Sequence, residues 1–186
     1  MKIERLPLEG LEKITPTRIV DNRGYFSEVF RQDWFRENVS KLEFVQDNES
    51  LSQPVGTIRG LHFQLPPFGQ GKLVRCIAGK VFDVAVDIRE NSPTFGQWYG
   101  LELSIENGVH LWIPPGFAHG FATLEQDSIL SYKVTASYSA ENDRGILWND
   151  PDIGIEWPVA PGTEILSDKD RKQPRLSDIA AYVDHQ

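Results

Sequence analysis

Cysteine is nearly absent from this chain. The single Cys76 among 186 residues cannot form an intrachain disulfide, so stability must rest on the packed core, and a reducing compartment suits it. Basic residues are also short. Nineteen Lys and Arg against 27 Asp and Glu leave a formal net charge of −8. That balance argues against nucleic-acid binding, which needs cationic patches to displace counterions. No apolar run approaches the length needed to span a bilayer, and the opening residues 1–7, MKIERLP, lack a secretory apolar region. The expected compartment is the cytoplasm, with no membrane partner. No G-x-G-x-x-G unit opens a helix after a strand, which removes a nicotinamide-type site. No repeat, linker or low-complexity tract divides the chain, and one domain spanning 1–186 is expected.

What is present is turn chemistry and alternation. The 15 glycines and 12 prolines are scattered at element ends, as many short strands and tight turns require. Residues 17–20 and 25–30 read as strands joined at the turn sequence Asp21-Asn22-Arg23-Gly24. Asp33 can cap a short helix over Trp34 to Asn38. Residues 81–89 form the clearest strand: Phe82, Val84, Val86 and Ile88 share one face, while Asp83, Asp87 and Arg89 share the other. Tyr99, Leu101, Leu103 and Ile105 alternate in the same way, and strands at 110–113, 121–124 and 128–134 follow at short spacing. That density predicts an all-β fold with short peripheral helices, a sandwich or an antiparallel jelly roll. A polar tail from Asp168 carries a further short helix over 177–183.

Two segments each set one histidine in a β-like run. PPGFAHGF (114–121) has the P-x-G-x-x-H form of a cupin barrel, with Gly108 six positions before Pro114. In metal-binding cupins the other segment carries His-x-His. Here it reads IRGLHFQ (58–64), so Gln64 stands where the second histidine would be. A barrel with too few ligands points to acid–base chemistry, not to a metal cage. His62 is then the natural base, because imidazole titrates near neutral pH.

Other candidates are ordinary residues when taken singly. Lys72 begins the face Lys72, Val74, Cys76, where a lysine commonly ends a strand in solvent; in a pocket it would meet a developing oxyanion. Tyr132 shares a face with Leu130 and Val134, as core tyrosines do, yet a base needs an acid opposite it. Asp170 reads as loop charge, or as the carboxylate that orients His62. Arg59 and His62 are three apart, so strict alternation puts them on opposite faces unless Gly60 marks a bulge.

Eight segments in order, DNRGYFSE (21–28), QDN (46–48), IRGLHFQ (58–64), KLVR (72–75), DVAVDIR (83–89), SPTFG (92–96), PPGFAHGF (114–121) and SDKD (167–170), closely resemble dTDP-4-dehydrorhamnose 3,5-epimerase. The resemblance runs over nearly the whole chain. It implies a cofactor-independent jelly-roll homodimer acting on dTDP-4-dehydro-6-deoxy-D-glucose, with the N-terminal strand region crossing to the partner. It also implies roles: His62 as base, Asp170 as its partner, Tyr132 as proton donor and Lys72 as the cation on the C4 oxygen. Arg23, Phe26, Glu28, Gln46, Asp47, Asn48, Arg59, His119, Asp143 and Lys169 resemble the family's substrate-contacting positions, and no metal or other cofactor is implied.

Three other readings compete. A mono-epimerase or ketoisomerase on a related dTDP-4-keto-deoxysugar would keep the same barrel and base. A non-catalytic sugar-nucleotide binder would have no use for His62, Lys72, Tyr132 and Asp170 together. A metal-dependent cupin would need more ligands than His62 and His119 supply.

Overall fold

A computed structural model describes residues 1–179 and residue 182. Strands β1 (Lys2–Arg5) and β2 (Glu12–Thr15) open the chain, followed by the hairpin β3 (Ile19–Asp21) and β4 (Gly24–Phe26). Helix α1 (Gln32–Asn38) leads into β5 (Gln46–Ser52), β6 (Ile58–Gln64), β7 (Lys72–Ala78) and β8 (Lys80–Asp87). Then come β9 (Trp98–Ser104), β10 (His110–Ile113), β11 (Phe117–Thr123), β12 (Ser128–Val134), β13 (Asp143–Gly145) and the short helix α2 (Asp168–Arg171). A six-stranded sheet runs β1-β2-β10-β7-β12-β5 and a five-stranded sheet runs β13-β6-β11-β8-β9, with every pairing antiparallel. This is the cupin-like all-β architecture expected from the strand density.

Both faces of each sheet are used. Val74, Cys76, Leu111, Ile113 and Leu130 of the six-stranded sheet meet Val81, Ala85, Leu103, Phe117 and Phe121 of the other in the central core. Phe35, with Phe30 and Phe44, covers Trp112 and Leu73 on the outside of the six-stranded sheet. The C-terminal third covers the outside of the five-stranded sheet, where Ile146, Ile153, Leu176 and Tyr182 pack on Val84, Val86 and Ile88. Burial of these clusters supplies the main driving force.

Alternation in β8 is as expected, but its polarity is turned inside out. The apolar face lies under the C-terminal cover, and the face with Asp83 and Asp87 looks inward, where both carboxylates are fully buried. Asp87 is satisfied by the Arg89 guanidinium at 2.7 and 2.9 Å and by the Ser92 and Thr94 hydroxyls. Buried carboxylates persist only with such partners.

Four local expectations need correction. Helix α1 begins at Gln32 with Arg31 at its cap and no side-chain cap bond, so Asp33 sits inside the first turn, where its charge complements the helix dipole. The hairpin strands are only three residues each, because residues 27–30 leave the ladder: Ser27 Oγ bonds the Thr17 carbonyl at 3.0 Å and Phe30 joins the aromatic cluster. The strand read at 121–124 begins earlier, at Phe117, and so carries His119. The tail helix reduces to a 3-10 turn, Leu176–Asp178, after which buried Tyr182 bridges Arg89 and donates its N–H to Ile88 at 2.9 Å. The rest of that expected helix, residues 180, 181 and 183, lies outside the described residues.

The strand that positions the site is β6. His62 pairs with His119 and Arg59 with Phe121, so the intervals are three residues on β6 and two on β11. This is a bulge, and it turns Arg59 and His62 into the same cleft. Gly60 makes it possible, with φ at +129° and its Cα so close to β11 that an added Cβ would lie 2.6 Å from Gly120 Cα and 2.8 Å from the His119 carbonyl. Gly60→Ala is therefore expected to cost ~3 kcal/mol, from left-handed strain plus overpacking. Urea unfolding checks this, and a loss below about 1 kcal/mol would show that the bulge tolerates a side chain.

Candidate active site

A cleft of about 640 Å³ opens between the sheets, with a smaller lobe of about 300 Å³ joined to it through His62, Lys72, Tyr132 and Lys169. His62 comes from β6 in the five-stranded sheet, while Lys72 and Tyr132 come from β7 and β12, neighbours in the facing sheet. The two sheets thus present different chemistry to one space.

His62 Nε2 lies 2.6 Å from Asp170 Oδ1, across 108 positions of chain. The link is built in steps. Ile165 pairs in parallel with Thr57: Ile58 donates to the Ile165 carbonyl at 2.8 Å, and Ile165 donates to that of Gly56 at 2.9 Å. The segment then turns at Ser167, whose Oγ accepts the Asp170 N–H at 3.1 Å and caps α2. Burial pushes the Asp170 carboxyl up, but the hydrogen bond and charge of His62, with the Ser167 and Gly60 donors, outweigh it and hold the carboxyl below its ordinary range. An ionised Asp170 on Nε2 places the neutral ring's proton there and leaves Nδ1 with the free lone pair.

Lys72 is buried, and its Nζ lies 3.4 Å from the His62 carbonyl. Desolvation lowers its pKa to about 8, against the charges of Asp83 and Asp143, which pull it back up. Burial raises the Tyr132 phenol, opposed by the charge of Arg59. Arg59 is held by Ser52 Oγ at 2.9 Å and the Leu51 carbonyl at 3.0 Å. His119 Nε2 sits 3.0 Å from both oxygens of buried Asp83, and desolvation still keeps the ring's pKa below its usual value. Lys169 pairs with Asp143 at the rim of the smaller lobe, which Gln46, Asn48 and Tyr138 also line.

Several expected residues lie elsewhere in this chain. Asp47 faces the outside of the six-stranded sheet, paired with Lys133 at 2.9 Å, because its neighbours Gln46 and Asn48 take the inward positions of β5. Arg23 pairs with Asp21, Phe26 is 70% exposed and Glu28 lies 3.7 Å from Arg31, none of them lining the cleft. Conversely, motif and alternation do not mark Asp83 or Gln64 as site residues, although both lie at or beside the cleft. The signal for Asp83 was a carboxylate on the less apolar face of a strand whose other face is wholly apolar.

A histidine with its tautomer set by a carboxylate, facing a lysine and a tyrosine, moves protons. Among the described residues no three His, Cys, Asp or Glu side chains gather as a metal-binding group. The class that fold and cleft define is a cupin-type isomerase.

Comparison with known proteins narrows this. The family profile described as dTDP-4-dehydrorhamnose 3,5-epimerase matches residues 5–178. An enzyme of that description from Sinorhizobium fredii is 59% identical over 96% of this chain and 91% of its own length. One from Shigella flexneri is 54% identical over 88% of this chain and 89% of its own. The crystal structure of a dTDP-6-deoxy-D-glucose-3,5-epimerase from Legionella pneumophila in complex with dTDP-4-keto-L-rhamnose superposes with a TM-score of 0.92 at 44% identity, covering 96% of this chain and 94% of that one. The chain belongs to the dTDP-4-dehydrorhamnose 3,5-epimerase family.

The buried lysine gives a test by linkage. With the folded pKa near 8 and the unfolded pKa at 10.5, the folded state loses its proton first as pH rises. Lys72 thus adds stability that is complete above the unfolded pKa and is lost as pH falls through the folded one. Relative to Lys72→Met, the wild-type protein should gain ~3 kcal/mol of unfolding free energy between pH 7 and 11. Denaturant titrations across that range measure it; a flat difference would mean that Lys72 is an ordinary solvated amine.

Proposed function

We propose that this chain inverts C3 and C5 of dTDP-4-dehydro-6-deoxy-D-glucose to give dTDP-4-dehydro-L-rhamnose, acting as a single domain in the cytoplasm. The observation that carries the reading is the 2.6 Å His62–Asp170 contact in a cleft shared with Lys72 and Tyr132. The C4 ketone acidifies the hydrogens at both C3 and C5, since either carbanion delocalises onto the same oxygen. His62 takes the proton, the electron pair moves to the C4 oxygen, and the Lys72 ammonium stabilises the enolate. Tyr132, from the facing sheet, returns a proton to the carbon from the other side. Exchange with water then resets base and acid, so no net atoms are gained or lost. Asp170 stabilises the imidazolium that forms. Arg59, Gln46, Asn48, His119, Asp143 and Lys169 hold the nucleotide-sugar, and the diphosphate supplies remote binding energy for positioning.

The reading includes a homodimer. Among the described residues hairpin β3–β4 pairs only with itself, leaving Val20 75% and Phe26 70% exposed, and β5 ends its sheet with one unpaired edge. Such edges and apolar ribbons are completed by strand addition. A hairpin crossing to the partner would bring Arg23, Phe26 and Glu28 to the partner's cleft. Mixing two inactive variants, Arg23→Ala and His62→Ala, and refolding them together should then restore activity by assembling one intact site per heterodimer. A fully active monomer, or a mixture that stays inactive, would refute the crossing.

Proton transfer is tested by isotope incorporation. In D₂O the wild-type protein should place deuterium at both C3 and C5 of the substrate, followed separately by NMR. His62→Ala should abolish both exchanges, with turnover falling on the order of 10³-fold, whereas Tyr132→Phe should impair the inverted product more than the first exchange. Activity should survive a strong chelator. Exchange at one carbon only would convert the reading to a mono-epimerase, and no exchange at all would leave a binding protein.

A further inference from the structure

Gln64 stands where a metal-binding cupin would carry its second histidine, and the chemistry above gives it no task. It lies on β6 two residues beyond His62 and is 3% exposed. Its carboxamide is committed at both ends. Nε2 donates to the Phe68 carbonyl at 2.7 Å and to that of Ser137 at 3.2 Å, while Oε1 accepts the Ser139 N–H at 2.8 Å. Two carbonyls and one N–H fix which way the amide points. A neutral imidazole has one donor and one acceptor, so histidine cannot satisfy all three partners.

The partners belong to two loops, the connection after β6 and the one after β12. The second carries Tyr138, whose ring is 61% exposed beside the smaller lobe and whose hydroxyl lies 3.4 Å from Asp143 Oδ2. Gln64 holds the residue before Tyr138 by its carbonyl and the residue after it by its N–H. Tyr138 itself donates its N–H to Gln46 Oε1 at 3.2 Å. A residue this exposed has little packing to orient it, so the backbone bonds on either side hold it in place together with the long hydroxyl bond to Asp143.

We propose that Gln64 is a positioning residue: its carboxamide ties the two loops together and holds Tyr138 at the mouth of the smaller lobe, setting affinity for the nucleotide-sugar and not the rate of proton transfer. The proposal rests on the epimerase reading for its substrate, but its structural half does not.

The test combines kinetics with amide exchange. Gln64→Ala, Gln64→Met, Tyr138→Ala and the Gln64→Ala/Tyr138→Ala pair are assayed with dTDP-4-dehydro-6-deoxy-D-glucose. Gln64→Met fills the volume without the bonds, which keeps the test open if the alanine variant fails to fold. Both Gln64 variants should raise KM on the order of 10-fold with kcat within about 3-fold. The double variant should be no worse than Tyr138→Ala alone, because a residue acting through Tyr138 has nothing left to act on. Hydrogen exchange of the Ser139 amide should speed up by at least about 100-fold in Gln64→Met. Multiplicative penalties in the double variant, a fall in kcat at unchanged KM, or an unchanged Ser139 amide would overturn the proposal. Failure of the wild-type protein to turn over the substrate would instead count against the epimerase reading, and the amide measurement would still judge the positioning.

Discussion

The backbone contact between Gly60 and Gly120 is the constraint on which the cleft depends. Strands β6 and β11 approach so closely there that neither residue has room for a side chain without movement: a Cβ at Gly120 would lie 2.8 Å from the Arg59 carbonyl. The bulge this permits spends one extra residue on β6, and that residue changes the parity of the strand. Without it, Arg59 and His62 would face opposite ways, and the cleft would lose either its base or its best-held cation. A covalent detail as small as two missing methyl groups thus decides whether the two sides of the cleft can work on one molecule.

Electrostatics builds on that geometry. The chain is acidic overall, yet the cleft gathers Arg59, Lys72 and Lys169. Each cation is secured differently. Arg59 is anchored by neutral oxygens, so its charge remains available to an anion. Lys169 is paired with Asp143 at the rim. Lys72 is buried without an ion pair of its own among the described residues, and Asp83 and Asp143 offset only part of its desolvation. A buried ammonium in that condition is poised to gain from a developing negative charge, which in the proposed reaction appears on the C4 oxygen. His119 serves the arrangement by giving Asp83 a partner, so that a fully buried carboxylate can stay beside the lysine.

Much of this was legible in the sequence, and the exceptions share a cause. Alternation locates the principal strands, and the three-residue spacing of Arg59 and His62 calls for a bulge at Gly60 if both are to line one pocket. What alternation could not say is which face of a strand looks inward. In β8 the apolar face is buried, as the pattern implies, but beneath the C-terminal cover, while the polar face looks inward and Asp83 there meets the cleft residue His119. Asp83 was missed for this reason. Gln46, Asp47 and Asn48 read as one motif, yet side chains on a strand point alternately to opposite sides, and Asp47 faces outward. The expected tail helix gives way to a 3-10 turn, after which Tyr182 pairs with Arg89, just past the end of β8 and more than ninety positions away. Local propensity does not see such pairings.

Gln64 shows how a residue can look like a loss and carry a function. Judged as a metal ligand it is a defect, because it supplies neither imidazole nor charge. Judged by hydrogen-bond count it is the better residue, since only a carboxamide offers two donors and an acceptor in that space. Two residues back along the same strand, His62 is oriented by Asp170, and its other ring nitrogen keeps the lone pair that a base needs. The two changes are complementary. A histidine bound to a metal ion has no lone pair for a proton, so using His62 as a base asks no ligand of position 64. With the coordination requirement removed, position 64 is free to brace the loops that shape the mouth of the cleft. The same geometry, two side chains two residues apart on β6, here carries a base and a brace instead of a pair of ligands.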